Sequence, residues 1–190
     1  MNNTATAKYT AILDVALRLI SEQGFHGTPM SQVAQVAQVG VGTIYRYFDS
    51  KETLINSLYR HLKQEVTAAM LAGFGADLPV RAKFRQTWLN LAHYYLAHPA
   101  AFKFLEQYTY SPFISAASRT EGTEQSAPLR AFFSHAQEQQ ILKGMAHEVL
   151  TAVLYGTISA LVRGQVYGEQ AVSAAMLEQA VDACWDAVKR

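Results

Sequence analysis

Three features of the 190-residue sequence predict an all-α protein. Apolar residues recur three and four positions apart through most of its length. Glycines and prolines fall where one such run gives way to the next, and beyond Gly75 nothing reads as a strand. About nine helices result, the first three forming a small unit of their own ahead of a larger helical domain.

The first helix spans Lys8 to Gln23, with Ile12, Leu13, Ala16, Leu17 and Ile20 on one face and Gly24 as its stop. Residues 1–7 are small and polar and read as a frayed end. Thr28-Pro29 opens a second helix, a hydroxyl N-cap followed by proline at the first helical position. That helix runs to about Ala37 and buries Met30, Val33, Ala34 and Ala37. Gln38-Val39-Gly40 is a three-residue turn, short enough to force the steep crossing of a helix-turn-helix. The third helix, Val41 to Phe48, turns Ile44 and Phe48 inward. Asp49-Ser50 caps the fourth, with Glu52 as the capping-box partner of Asp49. The fourth helix keeps an apolar face through Leu54, Leu58, Leu62 and Val66 to about Leu71, roughly 30 Å in length.

Gly73 to Gly75 marks a boundary. The chain is thereby divided into residues 1–50, a linking helix 51–72, and residues 73–190. Pro79 to Ala97 is a helix ended by His98-Pro99, and Pro99 to about Tyr110 is the next. Residues 111–127 have turn composition and read as a loop. Pro128 to about Lys143 is helical and closed by Gly144. Two long helices finish the chain, His147 to about Tyr167 and Glu169 to Lys189, with Gly168 between them.

Composition excludes several classes. Half the residues are hydrophobic and 16% are charged, which is a globular balance. No run of 18 apolar residues predicts a membrane span, and the N-terminus lacks the apolar core of a signal peptide. The single cysteine, Cys184, leaves no internal disulfide and suits a reducing cytoplasm. His93, His98, His135 and His147 lack metal-ligand spacing, Gly40-Val41-Gly42 lacks the third glycine of a nucleotide loop, and no nucleophile–base set stands out. No enzyme, metal site or cofactor is therefore expected. The formal net charge is only +1, so nucleic-acid binding must be argued from where charges sit.

That placement centres on Thr28 to Lys51. Residues 10–63 resemble the DNA-binding domain of the TetR family, the tetracycline-repressor type of bacterial transcription regulator. The matching positions are Ile12, Ala16 and Ile20, Gly24-Phe25, Thr28, Val33-Ala34, Ala37 and Val39. They continue with Gly42-Thr43-Ile44-Tyr45, Tyr47-Phe48, Lys51 and Leu54. Two positions depart from the family pattern. Gln38 stands where a glycine is usual, so either it adopts a left-handed backbone at about 1 kcal/mol or the turn differs slightly. Gly40 stands where a serine cap is usual and offers no hydroxyl to a phosphate.

A recognition helix enters the major groove by its first turn while surrounding groups hold phosphates. Gly42 permits close approach, Thr43 can bond a base edge or cover a thymine methyl, and Arg46 can pair bidentately with guanine. Tyr45 can lie against base or sugar. The resemblance gives Tyr47 a phosphate contact. Thr28 and Lys51, at helix N-termini, suit further anions, and Lys8 adds a contact from the entering arm. The partner is then a palindromic double-stranded operator.

The larger domain is aromatic-rich, and a few polar residues interrupt its apolar stretches. Asn90, His93, Gln107, Tyr110, Thr157 and Arg163 are candidates for a small-molecule site. The last two helices carry more apolar surface than one neighbour covers. Leu154, Ile158, Leu161, Leu177, Val181 and Trp185 are candidates for a homodimer interface, which the resemblance implies as a four-helix pairing. A dimer sets two reading helices about one DNA turn, ~34 Å, apart. The function these features predict is a ligand-responsive regulator, a repressor released from its operator by a small molecule. In that reading a tilt of about 10° in the fourth helix moves its far end ~5 Å. The alternatives are a small-molecule binding protein with a vestigial helix-turn-helix, and an activator of the same fold.

Overall fold

The computed structural model describes residues 3–75 and 78–190. Among them are ten α-helices and no strand. In order these are α1 (Asn3–Gln23), α2 (Met30–Val36), α3 (Val41–Tyr47), α4 (Lys51–Leu71) and α5 (Val80–Ala97). The rest are α6 (Pro99–Tyr108), α7 (Ala116–Glu124), α8 (Ala127–Glu138), α9 (His147–Val166) and α10 (Ala174–Val188). They form two compact units. The first comprises the chain through Gln64 together with Ala100–Thr123, and the second Glu65–Pro99 together with Glu124–Arg190. The expected division is 1–50, a linking helix 51–72 and 73–190; compactness divides the linking helix after Gln64 and groups 100–123 with the N-terminal helices.

The first unit is built on the predicted inner faces. Ile12, Leu13 and Ala16 of α1, Ala34 of α2, Ile44 of α3, Phe48 and Ile55 are all fully buried. Its second layer is α6 and α7, joined to the helix-turn-helix by specific bonds. The Phe25 amide donates to the Tyr108 hydroxyl at 2.9 Å, and the Phe25 ring stacks on Phe113 with centroids 4.2 Å apart. Asn56 on α4 donates to the Phe113 carbonyl and accepts from the Ser115 amide, both at 2.9 Å. Arg60 donates to Ser118 at 2.8 Å and lies 3.4 Å from the Glu121 carboxylate.

The second unit packs α5 against α9 and α10, which also pack on each other. Phe84 meets Trp185 edge-on at 5.2 Å. The segment after α8 runs back along the chain end: Lys143 N–H donates to the Val188 carbonyl at 2.8 Å and Arg190 N–H to that of Ile141 at 3.0 Å.

Several boundaries differ from the expectation, each for an identifiable reason. α1 begins at Asn3 and not at Lys8, so the fraying expected over residues 1–7 does not extend past Asn3; Met1 and Asn2 lie outside the described residues. Ala76 and Asp77, just past the expected boundary, also lie outside. The count is ten because the expected loop 111–127 contains α7. Its buried residues are Ser118 and Gly122, four apart, so it packs without an apolar period to betray it. A Cβ at Gly122 would stand 3.0 Å from the Tyr59 ring and 3.1 Å from Lys63 Cγ, which is why glycine sits there. Ser115 starts this helix by accepting the Ser118 amide at 3.1 Å.

α8 stops at Glu138, short of Lys143. Gln140 takes φ 60° while its amide reaches the Gln137 carbonyl and the Ile141 amide that of Ala136, the two bonds of a Schellman stop. α10 starts at Ala174, not at Glu169, because the Ser173 hydroxyl accepts the Met176 amide at 3.2 Å.

Candidate nucleic-acid interface

The turn ahead of α3 takes the conformation that its sequence demands. Gln38 has φ 55°, with its amide bonded to the Gln35 carbonyl at 3.1 Å and the Val39 amide to that of Ala34 at 2.9 Å. This is the stop found after α8, again with glutamine in the left-handed position where glycine is cheapest. Gln38→Gly is expected to raise the unfolding free energy by up to about 1 kcal/mol, read as a shift in thermal midpoint; a loss of stability would show that the glutamine side chain itself holds the turn. Gly40 then caps α3 through its backbone alone, its carbonyl accepting the Thr43 amide at 2.8 Å.

α3 is anchored at one end and along one side. Ile44 and Phe48 have no exposed surface, and Phe48 is the C-cap. Tyr9 of α1 stacks on Phe48 at 5.1 Å and meets the Tyr47 ring edge-on at 6.2 Å, so the first helix orients the half-buried Tyr47. The opposite side is open. Val41 and Tyr45 are 49% and 47% exposed, and a Cβ added at Gly42 would meet nothing within 4 Å. Arg46 is exposed and, among the described residues, makes no hydrogen bond or ion pair; Thr43 is half-buried. Gly42, Thr43, Tyr45 and Arg46 thus lie on a short helix whose exposed side nothing in its own unit covers.

The flanking candidates behave differently from one another. Thr28 is 1% exposed and its hydroxyl donates back to the Gly24 carbonyl at 2.9 Å, so its side chain fastens the loop and does not face outward. Pro29, not Thr28, occupies the N-cap of α2, and no side chain caps that helix. Lys51 holds its ammonium 4.4 Å over the Phe25 ring; burial lowers its pKa, partly offset by the neighbouring Glu52 carboxylate. At the start of α4 the cap is Ser50, whose hydroxyl accepts the Thr53 amide at 3.1 Å. Glu52 does not close a box with Asp49: its own backbone amide and the Ser50 hydroxyl hold the carboxylate below its usual range. Lys8 is exposed on α1.

The six ligand candidates are divided between the units. Gln107 and the 92%-exposed Tyr110 belong to the first. Asn90, His93, Thr157 and Arg163 belong to the second. Asn90 is occupied in closing α4, donating to the Ala72 carbonyl at 2.9 Å. Thr157 donates to the Val153 carbonyl at 2.6 Å and meets the Cys184 thiol at 3.2 Å. His93 is exposed, as is Arg163, which reaches Ser159 at 3.4 Å. Two groups that pattern reading passed over stand out instead. The Thr87 hydroxyl and the Trp88 indole nitrogen on α5 are buried with no hydrogen-bond partner among the described residues. Buried polar atoms are rarely left so. Their sequence surroundings, Gln86 before and Leu89-Asn90 after, give no sign of this, and only the tertiary contacts show them unsatisfied.

Of the six interface candidates, Ile158, Leu177, Val181 and Trp185 are core of the chain's own second unit, 1–9% exposed. Helical spacing shows that a face is buried but not by what. Leu154 and Leu161 are half-buried. α9 is long and apolar enough to cross a membrane by composition, yet only 28% of that window is buried within the chain. Its exposed side carries Val149, Ala152, Gly156 and Ala160.

Comparison with known proteins agrees with this geometry. Residues 12–58 match the model for bacterial regulatory proteins of the tetR family, and residues 79–189 match that of a tetracyclin repressor-like C-terminal domain. A TetR family transcription regulator from Marinobacter aquaeolei superposes over 100% of both chains with a TM-score of 0.92 at 24% identity. A TetR family protein from Vibrio parahaemolyticus shares 30% identity and a TM-score of 0.81, over 95% of this chain and 98% of its own. The transcriptional regulator FadR of Bacillus subtilis, solved in complex with stearoyl-CoA, shares 20% identity and a TM-score of 0.74, over 93% of this chain and 97% of its own. With a helix-turn-helix model at one end and a regulator's C-terminal model over 111 further residues, the chain belongs to the TetR family of bacterial transcription regulators.

Proposed function

We propose that this regulator is a homodimeric repressor that leaves its operator when a small molecule binds its second unit. The observation that carries the DNA-reading part is the contrast along α3. Ile44 and Phe48 are fully buried while Gly42, Tyr45 and Arg46 are exposed on the other side of the helix. The reading surface is Gly42, Thr43, Tyr45 and Arg46, with Tyr47 and Lys51 at phosphates and Lys8 nearby; Thr28 acts by fastening the loop behind them. Such a protein works in the cytoplasm, where the chromosome is.

Arg46 is the only cation on α3. Arg46→Ala is expected to weaken binding to a selected palindromic duplex by about 1–3 kcal/mol and to relax base preference at one position of each half-site. The test is a fluorescence-anisotropy titration against that duplex and its single-base variants. Undiminished affinity would remove Arg46 from the interface.

Dimerisation is supported by the uncovered side of α9. Val149, Ala152, Gly156 and Ala160 follow at three- and four-residue steps, and on α10 Ala175, Gln179 and Ala183 do the same. Small residues in that register let two helix pairs approach closely. Two copies also double the phosphate contacts of a charge-poor reading head. In this proposal residues 1–50 read DNA, 51–72 link, and 73–190 bind effector and partner. The unsatisfied Thr87 hydroxyl and Trp88 indole N–H favour an effector that offers hydrogen-bond acceptors inside an otherwise apolar site. The stearoyl-CoA complex of FadR supports a small-molecule occupant for this fold. A conformation favoured by the effector then depopulates the DNA-binding one.

A further inference from the structure

We infer that Val41 is a specificity-determining residue that reads the 5-methyl group of thymine. The inference rests on the DNA-reading function proposed for α3 and adds to it a residue and a base.

The argument begins with what Val41 does not do. It is not part of the buried core: 49% of its surface is exposed, while Ile44 on the same helix is fully buried. Helix formation does not favour it either, since a β-branched side chain loses rotamer freedom in a helix and valine ranks well below alanine there. Nor does it cap, because the Gly40 backbone starts α3. About half of an apolar side chain at the first helical position is therefore left uncovered by the folded unit.

Its surroundings indicate its partner. Tyr45 lies one turn further along the same side of α3 and is 47% exposed, so the two form an apolar strip on the helix. Gly42, between them in sequence, leaves the surface low, because an added Cβ would meet nothing within 4 Å. A partner's edge can thus come close to the helix beside Val41. In the major groove, base edges present hydrogen-bonding groups at every pair, and the one apolar group among them is the thymine C5-methyl. A valine set against a cytosine amino group would desolvate that donor without giving it an acceptor. The two Val41 methyls match the thymine methyl, while Thr43 and Arg46 remain for polar edges.

The experiment uses the full-length protein and a duplex selected from a library with a randomised core. Each thymine of one half-site is replaced in turn by deoxyuridine, which removes only the methyl group. For the wild-type protein one or two such positions are expected to weaken binding about fourfold, the factor for one methyl-sized group at about 0.8 kcal/mol. At the position read by Val41, Val41→Ala is expected to bind the thymine and deoxyuridine duplexes alike. An exposed valine-to-alanine change in a helix does not threaten folding, and circular dichroism checks this. Indifference of the wild type to every deoxyuridine overturns the inference, as does a fourfold effect that Val41→Ala leaves intact. Failure to select any duplex overturns the DNA-reading function itself, and the inference with it.

Discussion

Replacing Phe48 by alanine is expected to lower the unfolding free energy by about 3–5 kcal/mol, the range for truncating a buried phenylalanine. The ring is fully buried and stacks on Tyr9 at 5.1 Å, so its removal leaves a cavity that the Tyr9 ring alone cannot fill. Phe48 is also the C-cap of α3, its amide bonded to the Ile44 carbonyl at 3.0 Å. Loss of the side chain frees the end of a seven-residue helix too short to persist alone. A domain holds about 5–15 kcal/mol in total, so the variant should bind operator weakly even where it remains folded. Urea denaturation followed by circular dichroism measures the first effect and anisotropy the second. Tyr45→Ala is the control: its ring is half exposed, and its stability should stay within about 0.5 kcal/mol of wild type. A Phe48→Ala change below about 1 kcal/mol would show that α3 is held by something other than this ring.

Operator affinity is expected to fall about a thousandfold between 50 and 200 mM salt. The chain carries a net charge of only +1, and the cations proposed to meet DNA are Lys8, Arg46 and Lys51. Two copies bring about six of them to DNA, which gives a slope of about −5 in log affinity against log salt. The Lys51 ammonium lies over the Phe25 ring, and burial lowers its pKa, so Lys51→Ala tests whether the slope falls by about 1 per half-site. A measured slope near −10 would require a wider contact surface than α3 and its flanks. A slope near zero would leave the helix-turn-helix without phosphate contacts and favour the vestigial reading.

The helix-turn-helix was legible because its determinants are local. Gly24 with φ 74°, the left-handed Gln38, the backbone cap at Gly40 and the inward pair Ile44 and Phe48 all follow from residues within a few positions of one another. α7 was not legible, because Gly122 is covered by Tyr59 and Lys63 and Ser118 is bonded by Arg60, about sixty residues away in the chain. Thr28 shows the same limit at a single residue. A threonine before proline reads as a cap, yet its hydroxyl turns back to Gly24 and its side chain is covered. The dimer candidates fared similarly: Val181 and Trp185 are apolar at helical spacing, but α5 and α9 of the same chain already cover that side.

By itself, then, the sequence determined the helical class, the left-handed turn ahead of α3 and the inward face of that helix. Each of these is set by backbone conformation and by spacing along one or two helices. The tertiary structure decided which apolar faces are spent inside the chain, which polar atoms on α5 are left unsatisfied, and which side chains of α3 stay uncovered. Burial depends on what other segments bring into contact, and those partners lie far away in sequence. For α3 that decision is what turns a seven-residue amphipathic helix into a surface, with Val41, Tyr45 and Arg46 outward and its C-cap Phe48 holding them in place.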